Sequence, residues 1–257
     1  MTKTKFELCV PIYNEAGIIE RTVTTLAETL SKRKDLEWQV TVVDNCSTDN
    51  SRELVLALLL PNVRLMQLSE KGKGGAVVTA ARRTDADIFG FIDADLSVDP
   101  SCILPMVERV EKGEADAIVG SRMLDASRVN RGIFRKFVSW CFRTLRKLIL
   151  GVEVEDSQCP LKIMNRPATA VLADCKERTW FFDIELLALL TKRGFTFKEV
   201  PIIWEENRYE GRKSKIRFSR DAVDAFFALF RIRNRLDSSE RAAQRQLLLQ
   251  NNERSLS

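Results

Sequence analysis

Histidine is absent from this 257-residue chain. That absence removes every catalytic triad that depends on imidazole and argues against a zinc site. The six cysteines, Cys9, Cys46, Cys102, Cys141, Cys159 and Cys175, contain no CxxC pair. They read as reduced thiols of a cytosolic protein, packed mostly as small apolar groups. Long apolar runs are also missing. The longest, Leu54 to Leu60, has seven residues and stops at Pro61, whereas a membrane-spanning helix needs roughly 20. The chain enters a short apolar segment, KFELCVPIYNE, without the pattern of a signal peptide. It is therefore expected not to be integral to a membrane by itself. Neither the GxxxxGK[ST] spacing of a P-loop nor GxGxxG occurs in the glycine-rich stretch KGKGG. There is no internal repeat.

What is present is strand–helix alternation. Leu, Val, Ile and Phe are plentiful, and the formal net charge of +5 is modest for the length, so one large α/β domain with a substantial core is expected. Predicted strands are Phe6 to Ile12, Trp38 to Val43, Val63 to Leu68 and Ile88 to Ile92. Helices are expected at Ile18 to Leu30, after Asp49 to about Leu60, and at Ala76 to about Arg83. In open parallel sheets, ligands bind beyond the carboxyl ends of the strands. The polar residues cluster there. The last strand runs straight into Asp93, Ala94 and Asp95. Two carboxylates one residue apart could be aimed by one turn at a hard divalent cation, or they are simply a surface turn. Asp44 ends the second strand and is open to two readings, contact with a nucleoside or a turn aspartate. KGKGG could bring backbone amides and Lys73 near a phosphate, or be a flexible basic loop.

The ordered motifs PIYNE (Pro11 to Glu15), VVDNCSTD (Val42 to Asp49), GKGGAV (Gly72 to Val77) and DADLS (Asp93 to Ser97) resemble the family 2 glycosyltransferases of the type A fold. VGSR (Val119 to Arg122), Arg135, DSQCPLKIM (Asp156 to Met164), WFFDIELL (Trp180 to Leu187), EVPIIW (Glu199 to Trp204) and Ser214–Lys215 resemble the dolichyl- and polyprenyl-phosphate mannose synthase branch. The resemblance covers about residues 6 to 233. It implies a mostly parallel central sheet flanked by helices. It also implies inverting transfer of a hexose, mannose from GDP-mannose first and glucose from UDP-glucose as the alternative, to a polyprenyl phosphate lipid. Pro11, Tyr13, Glu15, Asp44, Lys73, Asp93 and Ala94 would hold the nucleotide. Asp93, Asp95 and Ser97 would hold Mg2+ or Mn2+; many relatives have glutamine where this chain has Ser97, and a second acid where it has Asn45.

The acceptor is then an ionised phosphate, which needs positioning and charge neutralisation more than a strong base. Arg122, Arg135 and Arg208 are the candidates, with Lys215 close behind. Arg122 could instead form an ion pair within the fold, and Arg128 and Arg131 read as solvated loop charges. Asp156, Gln158 and Lys162 fall in the acceptor-side segment. Asp95 and Asp183 complete the catalytic set. Asp183 would orient the sugar or the arginines, or act as a base if the acceptor were a hydroxyl; with Glu185 it could equally be a helix N-terminal acid pair. The expected nucleotide-binding half is about 1–97 and the acceptor half about 98–235, with a polar tail at 236–257.

Two basic amphipathic stretches, Phe134 to Leu150 and Lys213 to Arg235, suit a membrane interface or a core-facing helix. With a lipid acceptor, the expectation is a protein on the cytoplasmic face of a membrane, peripherally held, with a membrane-anchoring partner protein possible. A hydroxyl acceptor and a non-catalytic membrane-docking subunit are the other readings. No nucleic-acid partner is expected, because the basic residues are interleaved with apolar ones on helices.

Overall fold

The structure, a computed structural model, describes residues 3–124, 133–205, 224 and 226–238; across 133–141 it describes the helix and not the side chains. In chain order the principal elements are β1 (Thr4–Ile12), α1 (Ile19–Leu30), β2 (Leu36–Asp44), α2 (Ser51–Ala57), β3 (Val63–Gln67), α3 (Lys73–Ala81) and β4 (Ile88–Phe91). There follow α4 (Ile103–Glu111), β5 (Ala117–Ser121), α5 (Ile133–Leu150), β6 (Lys162–Asn165), α6 (Arg166–Ala170), α7 (Phe182–Lys192) and β7 (Phe197–Pro201). A last described helix covers 226–238. The strands form one seven-stranded sheet in the order β3-β2-β1-β4-β6-β5-β7. All neighbours are parallel except β6, which runs antiparallel to β4 and β5. The protein is thus a single α/β domain with helices on both faces.

Strand alternation distributes the core. On one face Phe6, Leu8, Val10 and Ile12 of β1 pack with Val40 and Val42 of β2 and with Ile163 of β6. The helices covering this face are α1 and α4. Their buried residues Ile19, Val23, Leu26, Leu30, Ile103, Met106, Val107 and Val110 recur at three- and four-residue steps. On the other face Phe89, Phe91, Val119 and Met164 meet α3, α7 and the 226–238 helix, the last through Leu229, Ile232 and Leu236.

Two expected boundaries shift for local reasons. The second helix stops at Ala57 rather than near Leu60. Leu59 adopts a left-handed φ of 48°, and Pro61 disfavours helical backbone at Leu60. The third helix starts at Lys73, three residues earlier than expected. Its glycines allow this. A Cβ on Gly74 would lie 2.6 Å from Phe182 Cβ and 2.7 Å from the Glu177 carbonyl oxygen, so the first turn of α3 can press on α7 only without one. The acidic turn after β4 is set from beneath. Leu96 is fully buried, holds a left-handed φ of 47°, and its N–H donates to the Asp93 carbonyl at 3.2 Å. The Thr22 hydroxyl of α1 donates to the Ala94 carbonyl at 2.6 Å.

The close approach at Gly74 has a stability consequence. Gly74→Ala is expected to cost about 1–3 kcal/mol in urea denaturation, the usual penalty for overpacking. Gly17→Ala, with nothing within 4 Å of the added methyl, should change stability by less than about 0.5 kcal/mol.

Candidate active site

The carboxyl ends of β1, β2 and β4 lie side by side, since Ile12 pairs with Asp44 and Cys9 with Phe91. The loops leaving β1 and β2 are laced together by side chains. Asn14, at a φ of 53°, donates its N–H to Ser47 Oγ at 2.9 Å and accepts from Thr48 N–H at 2.8 Å. The Glu15 N–H donates to Ser51 Oγ at 2.9 Å, and the Ala16 N–H to Asp49 Oδ2 at 3.1 Å. Pro11 and Tyr13 are half-buried along this seam and Glu15 is buried. Lys71 Nζ donates to the Tyr13 hydroxyl at 2.6 Å and stands 4.3 Å from the ring centre. Asp44 is buried and accepts the Ser47 N–H at 3.1 Å, with Arg52 Nε 3.9 Å away. Its side chain therefore shapes its own turn at the floor of the seam.

Asn45, which the sequence reading noted only as a departure from an acid pair, ties two loops together: its Oδ1 accepts the Gly72 N–H at 2.7 Å. The Gly74 N–H donates to the Arg178 carbonyl at 3.0 Å. These two amides of KGKGG hold the fold, so the expectation that this backbone cradles a phosphate narrows to the lysine side chains.

Lys73 reaches across from α3 to Asp93, Nζ to Oδ1 2.5 Å, and stands 5.2 Å from the ring centre of Trp180. Burial works against its charge, and Asp93, Asp183 and Asp95 outweigh it, so its pKa is raised. Asp95 Oδ1 accepts the Ser97 N–H at 3.1 Å. Ser97 and Ala94 are buried, whereas Asp93 and Asp95 are half-buried. The donor set here is two carboxylates and a hydroxyl. Among the described residues no three acidic or cysteine side chains converge as a metal cage. That set fits a hard divalent ion that keeps waters or phosphate oxygens in its shell better than one enclosed by protein alone.

The other side of the rim is built from paired charges. β6 places Lys162 opposite Phe91 of β4 and Val119 of β5. Its ammonium is almost fully buried, donating to Asp183 Oδ1 at 2.5 Å and to the Cys159 carbonyl at 2.7 Å. Burial raises the Asp183 carboxyl above the ordinary aspartate value, against the pull of Lys162 and Lys73. Arg122 grips Asp156 through Nε and Nη2 at 2.7 and 2.8 Å and stacks 4.7 Å from the Trp204 ring centre. The ion pair within the fold, left open from the sequence, is therefore present. Glu199 in turn accepts the Glu155 and Asp156 N–H groups at 2.6 and 2.9 Å. Glu185 accepts the Lys176 and Glu177 N–H groups at 2.8 and 2.6 Å. Arg231 and Arg235 both reach Glu177 at 2.9 Å, anchoring the 226–238 helix. Arg135 lies on α5 with its side chain outside the described residues; Arg208, Lys215, Arg128 and Arg131 lie outside them altogether. Cys9, Cys159 and Cys175 are buried free thiols, and burial with Asp156 nearby pushes Cys159 up to about 12.

Residues 7–172 match the family model described as glycosyl transferase family 2, and the chain belongs to that family. It is 32% identical over 201 residues to glycosyltransferase AglD of Haloferax volcanii, covering 76% of this chain and 32% of that protein. It is 30% identical to dolichyl-phosphate beta-glucosyltransferase ALG5C of Trichomonas vaginalis, covering 77% of this chain and 63% of that one. The chain thus spans between a third and two thirds of these relatives' length. Its fold is similar to that of glucosyl-3-phosphoglycerate synthase from Mycobacterium tuberculosis, solved in complex with Mn2+, UDP-glucose and phosphoglyceric acid. The TM-score is 0.64 at 16% identity, over 90% of this chain and 79% of that one.

Two outcomes follow from the paired charges. Lys162→Met should cost about 3–5 kcal/mol, because it leaves Asp183 buried and unpaired, and Lys162→Met/Asp183→Leu should recover most of that loss in urea denaturation. Glu177 sits below the ordinary glutamate value near 4.5: burial opposes ionisation, and hydrogen bonds from Arg231, Thr179 and Arg235 outweigh it. Its stabilising share is complete above that pH and is lost as pH falls further. The stability gap between the native protein and Glu177→Gln should therefore shrink steadily as denaturation is repeated at pH values descending from 5.

Proposed function

We propose that this chain transfers glucose from UDP-glucose to the phosphate of a polyprenyl phosphate, with inversion at the sugar. One observation carries the reading. Asp93 and Asp95, an acid pair at the carboxyl end of β4, share a rim with Asp44 and Lys73. Such a rim suits a divalent ion and a diphosphate together. The choice of glucose over the mannose expected from the sequence rests on the named activity of the Trichomonas relative. A β-linked product from an α-linked nucleotide sugar is also what a single inversion gives.

In this reading Tyr13, Glu15 and Asp44 line the nucleoside side, and Lys71 and Lys73 face the diphosphate. Asp93 and Asp95, with Ser97 behind them, would hold Mg2+ or Mn2+. When bound, the ion acts as a Lewis acid on the departing diphosphate. Asp183 supports a phosphate acceptor over a hydroxyl acceptor. Its Oδ1 is already engaged at 2.5 Å by a buried ammonium within the fold, and an ionised phosphate needs no base. Asp183 and Lys162 then set the shape and charge of the pocket wall beneath the sugar. Arg135, Arg208 and Lys215 are assigned to the acceptor phosphate by resemblance alone.

With a lipid acceptor, the protein would work at a membrane surface, and the cytoplasmic face is the side proposed here. No described helix is long and apolar enough to cross a membrane. The 226–238 helix instead presents Phe226, Phe227 and Phe230 to solvent, Phe227 at 60% exposure, beside Arg231 and Arg233. Aromatic residues flanked by arginine suit a headgroup interface. An anchoring partner protein would reinforce such a contact.

Incubation of the protein with UDP-glucose or GDP-mannose, a short-chain polyprenyl phosphate in detergent, and Mg2+ or Mn2+ tests the proposal. Labelled lipid should form with UDP-glucose, require the ion, and fall about 10²–10³-fold in Asp95→Asn. Labelling from GDP-mannose alone would reassign the sugar, and glucose recovered on a sugar hydroxyl but never on the lipid would reassign the acceptor.

A further inference from the structure

Lys73 is placed where a metal ion would be expected to act. Its ammonium lies 2.5 Å from Oδ1 of Asp93, the first acid of the pair. The backbone that carries it is pinned on both sides, by the Gly72 N–H on Asn45 and the Gly74 N–H on the Arg178 carbonyl. Gly72 itself, at a φ of 151°, has the Arg178 carbonyl oxygen 2.5 Å from where a Cβ would be. The backbone here is thus fixed, so a change of partner by Lys73 must come from rotation within its four-carbon stem. Around it runs a row of alternating charge: Lys162, Asp183, Lys73, Asp93 and, beyond, Asp95. Two cations against three anions leave the row one negative charge in excess. A divalent ion alone would overcompensate that excess and strip Lys73 of its partner. A divalent ion arriving with a doubly charged nucleotide sugar leaves the balance unchanged and supplies a new anion for the ammonium.

We infer that Lys73 is a stand-in for the divalent cation: it holds Asp93 while the site is free of ligand and moves to the diphosphate when the ion takes its place. This rests on the proposed nucleotide-sugar site. It makes Lys73 an exchangeable counter-charge, which couples binding of the ion to binding of the nucleotide. A permanent member of the acid cluster would do neither.

The test is binding, without turnover. Free Mn2+ is followed by electron paramagnetic resonance in the absence of nucleotide, and UDP binding is followed by calorimetry at saturating Mn2+. Lys73→Met should bind Mn2+ alone about tenfold more tightly than the native protein, and UDP about tenfold more weakly, the size of one charge-assisted contact. Lys73→Arg, which keeps the charge, should stay near native in both. Lys73→Gln serves if the methionine variant does not fold, with the same two opposite shifts expected. Unchanged or weaker Mn2+ binding in the neutral variants overturns the inference, as does a gain in Mn2+ affinity with UDP affinity unaltered. Failure of the native protein itself to bind Mn2+ or UDP under any of these conditions overturns the underlying nucleotide-sugar reading instead.

Discussion

The buried pair Lys162–Asp183 is the contact on which the geometry of the rim depends. Lys162 begins β6, the one antiparallel strand of the sheet among the described residues, between β4 and β5. Its partner begins α7 on the sheet's other layer. A full charge at that depth is tolerable only with a partner at contact distance. The pair therefore fixes the height of α7 against the end of β4. That height in turn fixes Phe182 against Phe91, ring centres 5.4 Å apart, and Trp180 against Lys73. This side of the rim is positioned by electrostatics inside the core rather than by loop packing alone.

Charge on the rim is arranged in layers. Some groups are paired away from the cleft: Lys162 with Asp183 in the core, and Arg122 with buried Asp156. Groups lining the cleft are paired with each other across it, Lys71 with Tyr13 at 2.6 Å and Lys73 with Asp93 at 2.5 Å. The first kind sets shape, because separating it strands a buried charge. The second kind can be exchanged for ligand charge at smaller cost where the group is solvated, as at the exposed Lys71.

Much of the first half was legible from the sequence because parallel strands are buried on both faces. They show as continuous apolar runs, and their carboxyl ends show as abrupt polar residues such as Asp44 and Asp93. The second half was less so. β6 has four residues and opens with a lysine, which in a sequence looks like a surface or ligand-binding residue and not like the middle of a sheet. The early start of α3 was hidden because glycine lowers helix propensity, while here its missing side chain is what lets helix and helix touch. Asn45 and Thr22 carried no periodic signal: each uses its side chain for a hydrogen bond whose partner is distant in sequence. The ion pair of Arg122 was visible only as one of two alternatives, since Asp156 is 34 positions away.

Leu96 has a further consequence. It sits in the left-handed region, where a side chain costs about 1–2 kcal/mol, yet its side chain is sealed in the core beneath α1. Glycine would relax the backbone and leave a void worth more than the strain relieved. The acid pair is thus moored from below, by an oily anchor on the far side of the turn from any ligand. Folding itself has already set the spacing and tilt of Asp93 and Asp95. Under the proposed function, a cation arriving there would meet a turn that is already shaped, and the size of that preset gap would bear on which ions fit.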